Sequence, residues 1–190
     1  MEKQENLYHE EYRMIRAEIV NCISLQNSLS TFMITAVTAL LALAFTQMNP
    51  WLFLLPYVVI LPIGCGIFHY RGNVLKLASY LIVFLEPNIK GMNWETRHAE
   101  YIKGKDVDKY YVFRNYLSVF LSIIVYLLFL NSYLPTVSRM GVMSVIIALF
   151  PLLPTGHMIF LVLLTAKTLT NRSNCIEQWE SVKSMKEQKK

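Results

Sequence analysis

Charge is nearly absent from two long stretches of this 190-residue chain. Residues 19–70 contain no Asp, Glu, Lys or Arg, and Arg139 is the single such residue in 115–166. The chain is 16% charged and 54% hydrophobic, whereas a soluble domain has about 25% charged residues. As a helix, each stretch extends about 78 Å and can cross a bilayer core of about 30 Å twice. The sequence therefore predicts a polytopic membrane protein. It argues against a soluble enzyme, a secreted disulfide scaffold or a basic nucleic-acid-binding domain.

Cysteine and catalytic motifs are also scarce. The three cysteines have the spacing of neither a disulfide framework nor a metal site. The sequence contains no HExxH motif, no nucleophile elbow and no phosphate-binding loop. The predicted spans hold no carboxylate of the kind that ion-coupled carriers commonly use. We therefore expect no enzymatic activity, no cofactor and no metal ion.

The predicted fold class is all-α, a polytopic membrane protein with four transmembrane helices in two hairpins plus cytoplasmic helices. Helices are required because lipid leaves irregular backbone without hydrogen-bond partners. The predicted spans are residues 32–47, 51–69, 115–131 and 142–166, with turns at 48–50 and 131–139. The predicted segments are a cytoplasmic amphipathic helix (1–29), the first hairpin (30–70), a cytoplasmic segment with an interfacial helix (71–114), the second hairpin (115–167) and a basic cytoplasmic tail (168–190).

Basic residues predict the orientation of these spans. The first turn has no Lys or Arg, and the second has only Arg139. The amino-terminal arm, the middle segment and the tail hold the other basic residues, and positive residues remain on the cytoplasmic side of a membrane. We therefore expect a bacterial inner-membrane protein with both termini in the cytoplasm.

Two helices are predicted outside the spans. An apolar seam in the first is formed by Tyr8, Tyr12, Ile15, Ile19 and Cys22, spaced four and three residues apart. No Gly or Pro separates this helix from the first span, so one continuous rod is expected. The seam packs either on the middle segment of the same chain or on another subunit. A second helix, over residues 73–85, lies either along the membrane surface or beneath the spans.

Polar residues inside the spans form a candidate intramembrane site. Small and hydroxyl residues are spaced four and three apart along the first helix: Ser24, Ser28, Thr31, Thr35, Thr38 and Ala42. Such a stripe serves close helix packing or lines a water-filled path in an oligomer.

His157 is the second element of this site, in the fourth span beside Pro151 and Pro154, which should bend or break the helix. An ionisable group at this depth is a functional candidate. The alternative is a neutral His that hydrogen-bonds a carbonyl freed by the kink.

Two motifs resemble those of a family of uncharacterised bacterial integral membrane proteins. Residues 12–19 resemble a Tyr-x-x-Leu-Arg-x-Glu-Ile signature, with Ile15 where the signature has Leu. Residues 78–80 with Glu86, then residues 91–95, are similar to an Ala-Ser-Tyr…Glu…Gly-Trp-Glu pattern, with Met92 and Asn93 inserted before the Trp. Small four-span proteins of this kind look like membrane components of antiphage systems. Examples are the Kiwa membrane subunit and the membrane accessories of RNA-targeting CRISPR loci.

The first motif also has a physical interpretation. Arg16 and Glu18 lie about 200° apart around a helix and cannot pair with each other. Each needs a different partner, which Trp94, Glu95 and Arg97 could supply. The candidate subunit or docking contacts are therefore Tyr12, Ile15, Arg16, Glu18, Ile19, Trp94 and Glu95.

Together these features predict an oligomeric inner-membrane component of an antiphage system. Such a protein would perturb the membrane, as a pore candidate, or recruit a cytoplasmic partner to it. The expected partners are membrane lipids, further copies of the chain and a cytoplasmic protein, without direct binding of nucleic acid. The alternative is a channel or transporter subunit with a housekeeping substrate. A membrane-embedded enzyme is the least favoured interpretation.

Overall fold

The structure is a computed structural model. It describes the backbone of residues 2–89, 91–103, 109–136, 141–169 and 172–187. Side chains are described for residues 5–89, 91–100, 116–135, 141–164 and 172–186. The predicted second turn lies partly outside these ranges.

The described residues are almost entirely helical and contain no strand, so the all-α prediction is confirmed. The α-helices are α1 (Glu2–Gln47), α2 (Pro56–Tyr80), α3 (Trp94–Lys103), α4 (Lys109–Tyr133), α5 (Val142–Leu149), α6 (Leu152–Leu169) and α7 (Arg172–Glu187). Four helical stretches are long and apolar enough to cross a membrane: Glu5–Gln47, Pro50–Asn88, Tyr116–Tyr133 and Val142–Leu164. Each of the four predicted spans overlaps one of these stretches.

The chain divides into two compact units. We call Met1–Gln26, His69–Lys109 and Thr165–Lys190 the charged unit. Asn27–Phe68 and Tyr110–Leu164 form the apolar unit. For comparison with these ranges, the sequence predicts segment boundaries at 29/30, 70/71, 114/115 and 167/168.

The first helix is continuous over 46 residues, as expected from the absence of Gly and Pro. It ends at Gln47 because Met48 takes a left-handed φ of 50°, and Pro50 follows two residues later. Asn49 then caps a 3₁₀ helix over Pro50–Leu54, with its side-chain oxygen accepting from the Trp51 N–H at 3.1 Å. The predicted turn at residues 48–50 is confirmed.

Residues 73–85 are helical, as predicted, but they do not form a separate helix. Helix α2 instead continues from Pro56 through Gly72 and Asn73 to Tyr80. A π-helical turn over Leu81–Leu85 and a 3₁₀ turn over Glu86–Asn88 then end it before α3. A single Gly and Asn cost a helix little, so packing along α2 outweighs them.

The apolar side of this region is buried within the charged unit. Leu81 and Leu85 pack with Tyr12 and Ile19 of α1 and are almost completely buried. An interfacial helix would instead present these side chains to lipid. Leu81 and Leu85 are thus covered by protein, and the position of residues 73–85 relative to the membrane stays a prediction.

The predicted fourth span is broken at the prolines, as expected. Helix α5 ends at Leu149 and α6 begins at Leu152. Pro154 lies in the first turn of α6, where its missing N–H costs no intrahelical hydrogen bond. Pro151 is buried, and its carbonyl accepts from the Thr155 backbone N–H at 3.3 Å.

Among the described residues, the larger of two hydrophobic clusters in the apolar unit is contributed by α1, α2, α4 and α6. Its most completely buried members are Met33, Val37, Ile60, Val125 and Met158. Large apolar side chains remain exposed on the outside of the same helices, among them Phe32, Val58, Leu127 and Phe160. Since soluble monomers rarely expose large apolar patches, this pattern is typical of a surface that faces lipid.

Candidate functional site

A buried glutamate joins three helices of the charged unit. Glu95, in the first turn of α3, has a side chain only 4% exposed. Its Oε1 accepts from Arg16 Nη1 of α1, and its Oε2 accepts from Arg172 Nη2 of α7 at 2.8 Å. Because a buried carboxylate is costly unless paired, the two arginines make this position tolerable for Glu95. The three side chains thereby fix α1, α3 and α7 within one unit.

A second buried glutamate positions α3. The Glu86 carboxylate accepts from the backbone N–H groups of Glu95 at 2.6 Å and Thr96 at 3.1 Å. The Thr96 hydroxyl donates to the same carboxylate. These are N–H groups of the first helical turn, which have no partner inside the helix. Glu86 thus caps α3 from the preceding turn and places Glu95 opposite Arg16 and Arg172.

Aromatic rings attach α7 to the π-helical turn. Trp179 meets the rings of Tyr80 and Phe84 edge-on, at centroid distances of 5.3 Å and 6.0 Å. Its Nε1–H donates to the Lys76 carbonyl at 3.1 Å. Lys183 Nζ donates to the Val83 carbonyl, inside the π-helical turn, at 3.3 Å. The tail helix therefore packs as part of the charged unit.

Tyr80 also connects this turn to α1. Its hydroxyl donates to Glu11 Oε1 at 2.6 Å. Burial, together with the hydrogen bond to the Glu11 carboxylate, raises the pKa of Tyr80 to about 12. The phenol therefore stays protonated, as a donor, across the physiological range.

A groove opens between α1 and the loop before α3. It consists of two cavities of about 590 and 390 Å³ that share Tyr12, Arg16 and Met92 as lining residues. Arg13 lines the larger cavity, and Trp94 and Arg97 line the smaller. We call this feature the arginine groove. The lining residues that the structure describes include three arginines and no acidic side chain.

Gly91 shapes the loop that forms one wall of this groove. Its φ of +80° lies in the left-handed region, which a side chain would strain. Beyond it, Trp94 is half exposed, with the Arg16 guanidinium 4.3 Å from its ring centroid and the His98 ring stacked at 4.9 Å. The loop thus presents an aromatic surface beside the arginines.

The structure brings together most of the predicted docking residues, inside one chain. Tyr12 and Ile19 are buried and Ile15 is partly buried, all packed on the middle segment of the same unit. Arg16 contacts both Trp94 and Glu95, whereas Glu18 is exposed. The seam therefore packs on the middle segment of the same chain, which is one of the two predicted alternatives.

The candidate intramembrane residues are on the outside of the apolar unit. Thr31, Thr35 and Thr38 are exposed, and each hydroxyl donates to the carbonyl four residues earlier at 2.8–3.1 Å. His157 is exposed as well. Because the threonine hydroxyls are occupied by their own helix, they present a small, largely apolar profile that suits packing better than water lining.

A buried hydroxyl cluster in the apolar unit escaped the sequence analysis. The Tyr57 hydroxyl contacts the Ser122 carbonyl at 3.0 Å and the Thr155 hydroxyl at 2.8 Å. Thr155 also donates to the Pro151 carbonyl at 2.9 Å. The two hydroxyl hydrogens can complete two of these three contacts at a time. In the sequence, the one sign of this cluster is that Thr155 follows Pro151 by four residues, the spacing of its hydrogen bond to the Pro151 carbonyl.

Sequence reasoning also missed the roles of Glu86 and Arg172. Glu86 belonged to a motif without an assigned contact, and Arg172 was only one of many basic tail residues. Arg172 pairs with Glu95 across 77 positions, and Glu86 caps α3 from a separate turn, so helical spacing reveals neither contact.

Among the described residues, no cluster of His, Cys, Asp and Glu has the geometry to hold a metal ion. Comparison of the chain with protein-family models, with curated proteins and with solved structures found no match. The class defined by the fold is thus a helical membrane protein with four candidate spans and a separate charged unit.

Proposed function

We propose that this chain is a non-enzymatic, homo-oligomeric component of the bacterial inner membrane that recruits a cytoplasmic protein, in the context of antiphage defence. The observation that carries the proposal is the buried Glu95. Its pairing with Arg16 and Arg172 builds an ordered unit from three chain segments, and that unit keeps the arginine groove on its surface. Such a preorganised surface suits protein binding.

The cytoplasmic orientation rests on the distribution of positive charge. Arg71, Lys76 and Arg97 belong to the middle segment, while the turn at residues 48–50 has no charge. The positive-inside rule then places the charged unit in the cytoplasm. The defence context rests on the resemblance of residues 12–19 and 91–95 to membrane components of antiphage systems.

The proposed oligomer is supported by polar and small residues on the outer surface of the apolar unit. Ser28, Thr31 and Thr35 are exposed on α1, and Gly156 and His157 are exposed on α6. A second copy would give His157 a protein environment in place of lipid, which disfavours ionisable groups. Small residues also let helix backbones approach closely in membranes.

Recruitment is favoured over a pore because the threonine hydroxyls donate to their own helix. The channel alternative retains one favourable observation, the exposed His157 beside the proline break.

A paired measurement tests the proposal. The chain is expressed in bacteria together with its neighbouring genes, and phage plaque formation is compared with and without it. Purified chain in liposomes is assayed for ion flux in parallel. We expect protection that needs the chain and flux no higher than that of empty liposomes. Equal plaque formation in the two strains would overturn the defence role, and flux well above the empty-liposome level would favour the channel alternative.

A further inference from the structure

The arginine groove combines positive charge with exposed apolar and aromatic surface. Arg13 and Arg97 are exposed, and Arg16 is 35% exposed while it pairs with Glu95. The described lining residues include no carboxylate. Glu95 shares its charge between Arg16 and Arg172, so it offsets part of the charge on Arg16, and the exposed Arg13 and Arg97 provide the rest of the positive charge. The groove therefore attracts negative charge.

The apolar part of the groove is as distinctive as its charge. Met92 and the half-exposed Trp94 lie on one wall, and Ala17 and Val20 of α1 on the other. Trp and Arg are the residues that most often dominate binding energy at protein interfaces, and Met adapts to varied partners. A simple anion would leave this apolar surface unused.

The shape of the groove favours a chain segment over a small molecule. From Arg13 to Ser24 the lining extends about 16 Å along α1, at about 1.5 Å per residue. The groove is open to solvent along this length, whereas small-molecule sites enclose most of their ligand. An extended peptide of several residues, or a short helix, fits such an open trough.

We propose that the arginine groove binds an acidic segment with interspersed apolar residues on the cytoplasmic partner. The inference rests on the proposed function and names the surface that performs the recruitment. Arginine suits this role because its planar guanidinium can hold a carboxylate with two parallel hydrogen bonds. Met92 and Trp94 receive the apolar side chains of the segment.

The test uses the full chain in nanodiscs of phosphatidylcholine, which carries no net charge. The probe is a short fluorescein-labelled peptide of alternating Glu and Phe, and Kd is measured by fluorescence anisotropy. The same peptide with Lys in place of Glu is the charge control. We expect the Glu peptide to bind at least about tenfold more tightly than the Lys peptide, and to weaken as salt is added.

Charge-reversal variants locate the binding. Arg13→Glu combined with Arg97→Glu alters two exposed groove residues, and Lys76→Glu combined with Lys186→Glu alters two exposed cations of the same unit outside the groove lining. We expect the groove variant to raise Kd by about tenfold or more and the control by less than about twofold. The milder Arg13→Gln with Arg97→Gln should give an intermediate Kd.

Several results would overturn the inference: no binding of the Glu peptide, equal binding of the Lys peptide, or equal weakening in both charge-reversed variants. A groove variant that keeps peptide affinity but retains less phosphatidylglycerol from mixed nanodiscs would instead identify a lipid site. If the groove variant loses peptide binding yet still protects cells from phage, the proposed function stands and the groove is not its recruitment surface. If the unaltered chain gives no protection, the proposed function itself fails.

Discussion

Glu95 is the residue on which the charged unit depends most. Its side chain is 4% exposed and separates two guanidinium groups, so its removal leaves two cations close together without their shared anion. Loss of one partner from a buried ion pair costs about 3–5 kcal/mol. Arg16 and Arg172 are partly exposed, so water screens part of the repulsion between them. The expected cost therefore lies near the lower end of the range of about 3–5 kcal/mol.

Glu95→Gln should therefore destabilise the charged unit by about 3 kcal/mol. The measurement is thermal unfolding of the purified chain, followed by the fluorescence of Trp94 and Trp179. Glu100→Gln is the matched control, because Glu100 is exposed on the same helix. A similar unfolding temperature for both variants would contradict the role assigned to Glu95.

Tyr57 makes the corresponding contribution inside the apolar unit. Tyr57→Phe removes the hydroxyl that contacts the Ser122 carbonyl and the Thr155 hydroxyl. We expect a loss of about 0.5–1.5 kcal/mol in detergent, the usual net value of a hydrogen bond. Tyr116→Phe is the control, since Tyr116 is exposed on α4. A loss in the control as large as that of Tyr57→Phe would show that the cluster adds no stability.

At the scale of elements, α3 is a short helix that depends on an acceptor outside itself. Its first-turn N–H groups are bonded by Glu86, whose side chain reaches them from the turn after α2. Isolated helices of about this length are marginal in water, so the cap and the packing hold α3 in place.

Glu86→Ala should loosen α3 while leaving the spans folded. We expect backbone amides of Trp94–Lys103 to exchange hydrogen about tenfold faster, for a cap worth about 1–2 kcal/mol. Hydrogen exchange followed by mass spectrometry measures this directly. Glu100→Ala, on the same helix, should leave the exchange unchanged. Equal protection of α3 in both variants would overturn the capping role.

Two of the three glycines of helix α2 lie in opposite environments. A Cβ added at Gly64 would overlap Cε of the buried Met158, whereas at Gly72 it would meet nothing within 4 Å. Gly64 thus marks a close approach of α2 and α6 within the apolar unit.

Gly64→Ala should change stability by about 1 kcal/mol or less, because the flexible end of the Met158 side chain must shift to admit the methyl group and this cost offsets the helix preference of alanine. Gly72→Ala should stabilise it by about 0.5–1 kcal/mol, since alanine favours the helix. Thermal unfolding of the two variants in one detergent compares them. An unfolding temperature for Gly64→Ala at or above that of Gly72→Ala would contradict the close approach.

For the whole molecule, the proposed orientation can be tested by cysteine labelling. The background is Cys22→Ala, Cys65→Ala and Cys175→Ser, so that each added cysteine is the only one. Met48→Cys introduces a thiol in the exposed turn after α1, and Glu100→Cys one on exposed α3. A membrane-impermeant reagent added to intact cells should label Met48→Cys and not Glu100→Cys. The reverse labelling would overturn the cytoplasmic placement of the charged unit.

The accuracy of sequence reasoning differed between local and distant features. The turn at residues 48–50 and the break at Pro151 were predicted because each depends on the conformational limits of neighbouring residues. The continuation of α2 beyond the second predicted span to Tyr80 was not predicted. There the decisive factor is the burial of Leu81 and Leu85 against α1, which local propensity does not contain.

The sequence by itself determined the all-α class and the four apolar helices. The length of a charge-free stretch can be read directly from the sequence and compared with the thickness of a bilayer core. Only the tertiary structure decided which charges meet. Glu95 pairs with Arg16 across 79 positions and with Arg172 across 77. It also decided that the seam of α1 is internal and that Thr31, Thr35, Thr38 and His157 are exposed. Helical periodicity tells which residues share a face, but only the packing of distant segments sets what that face contacts.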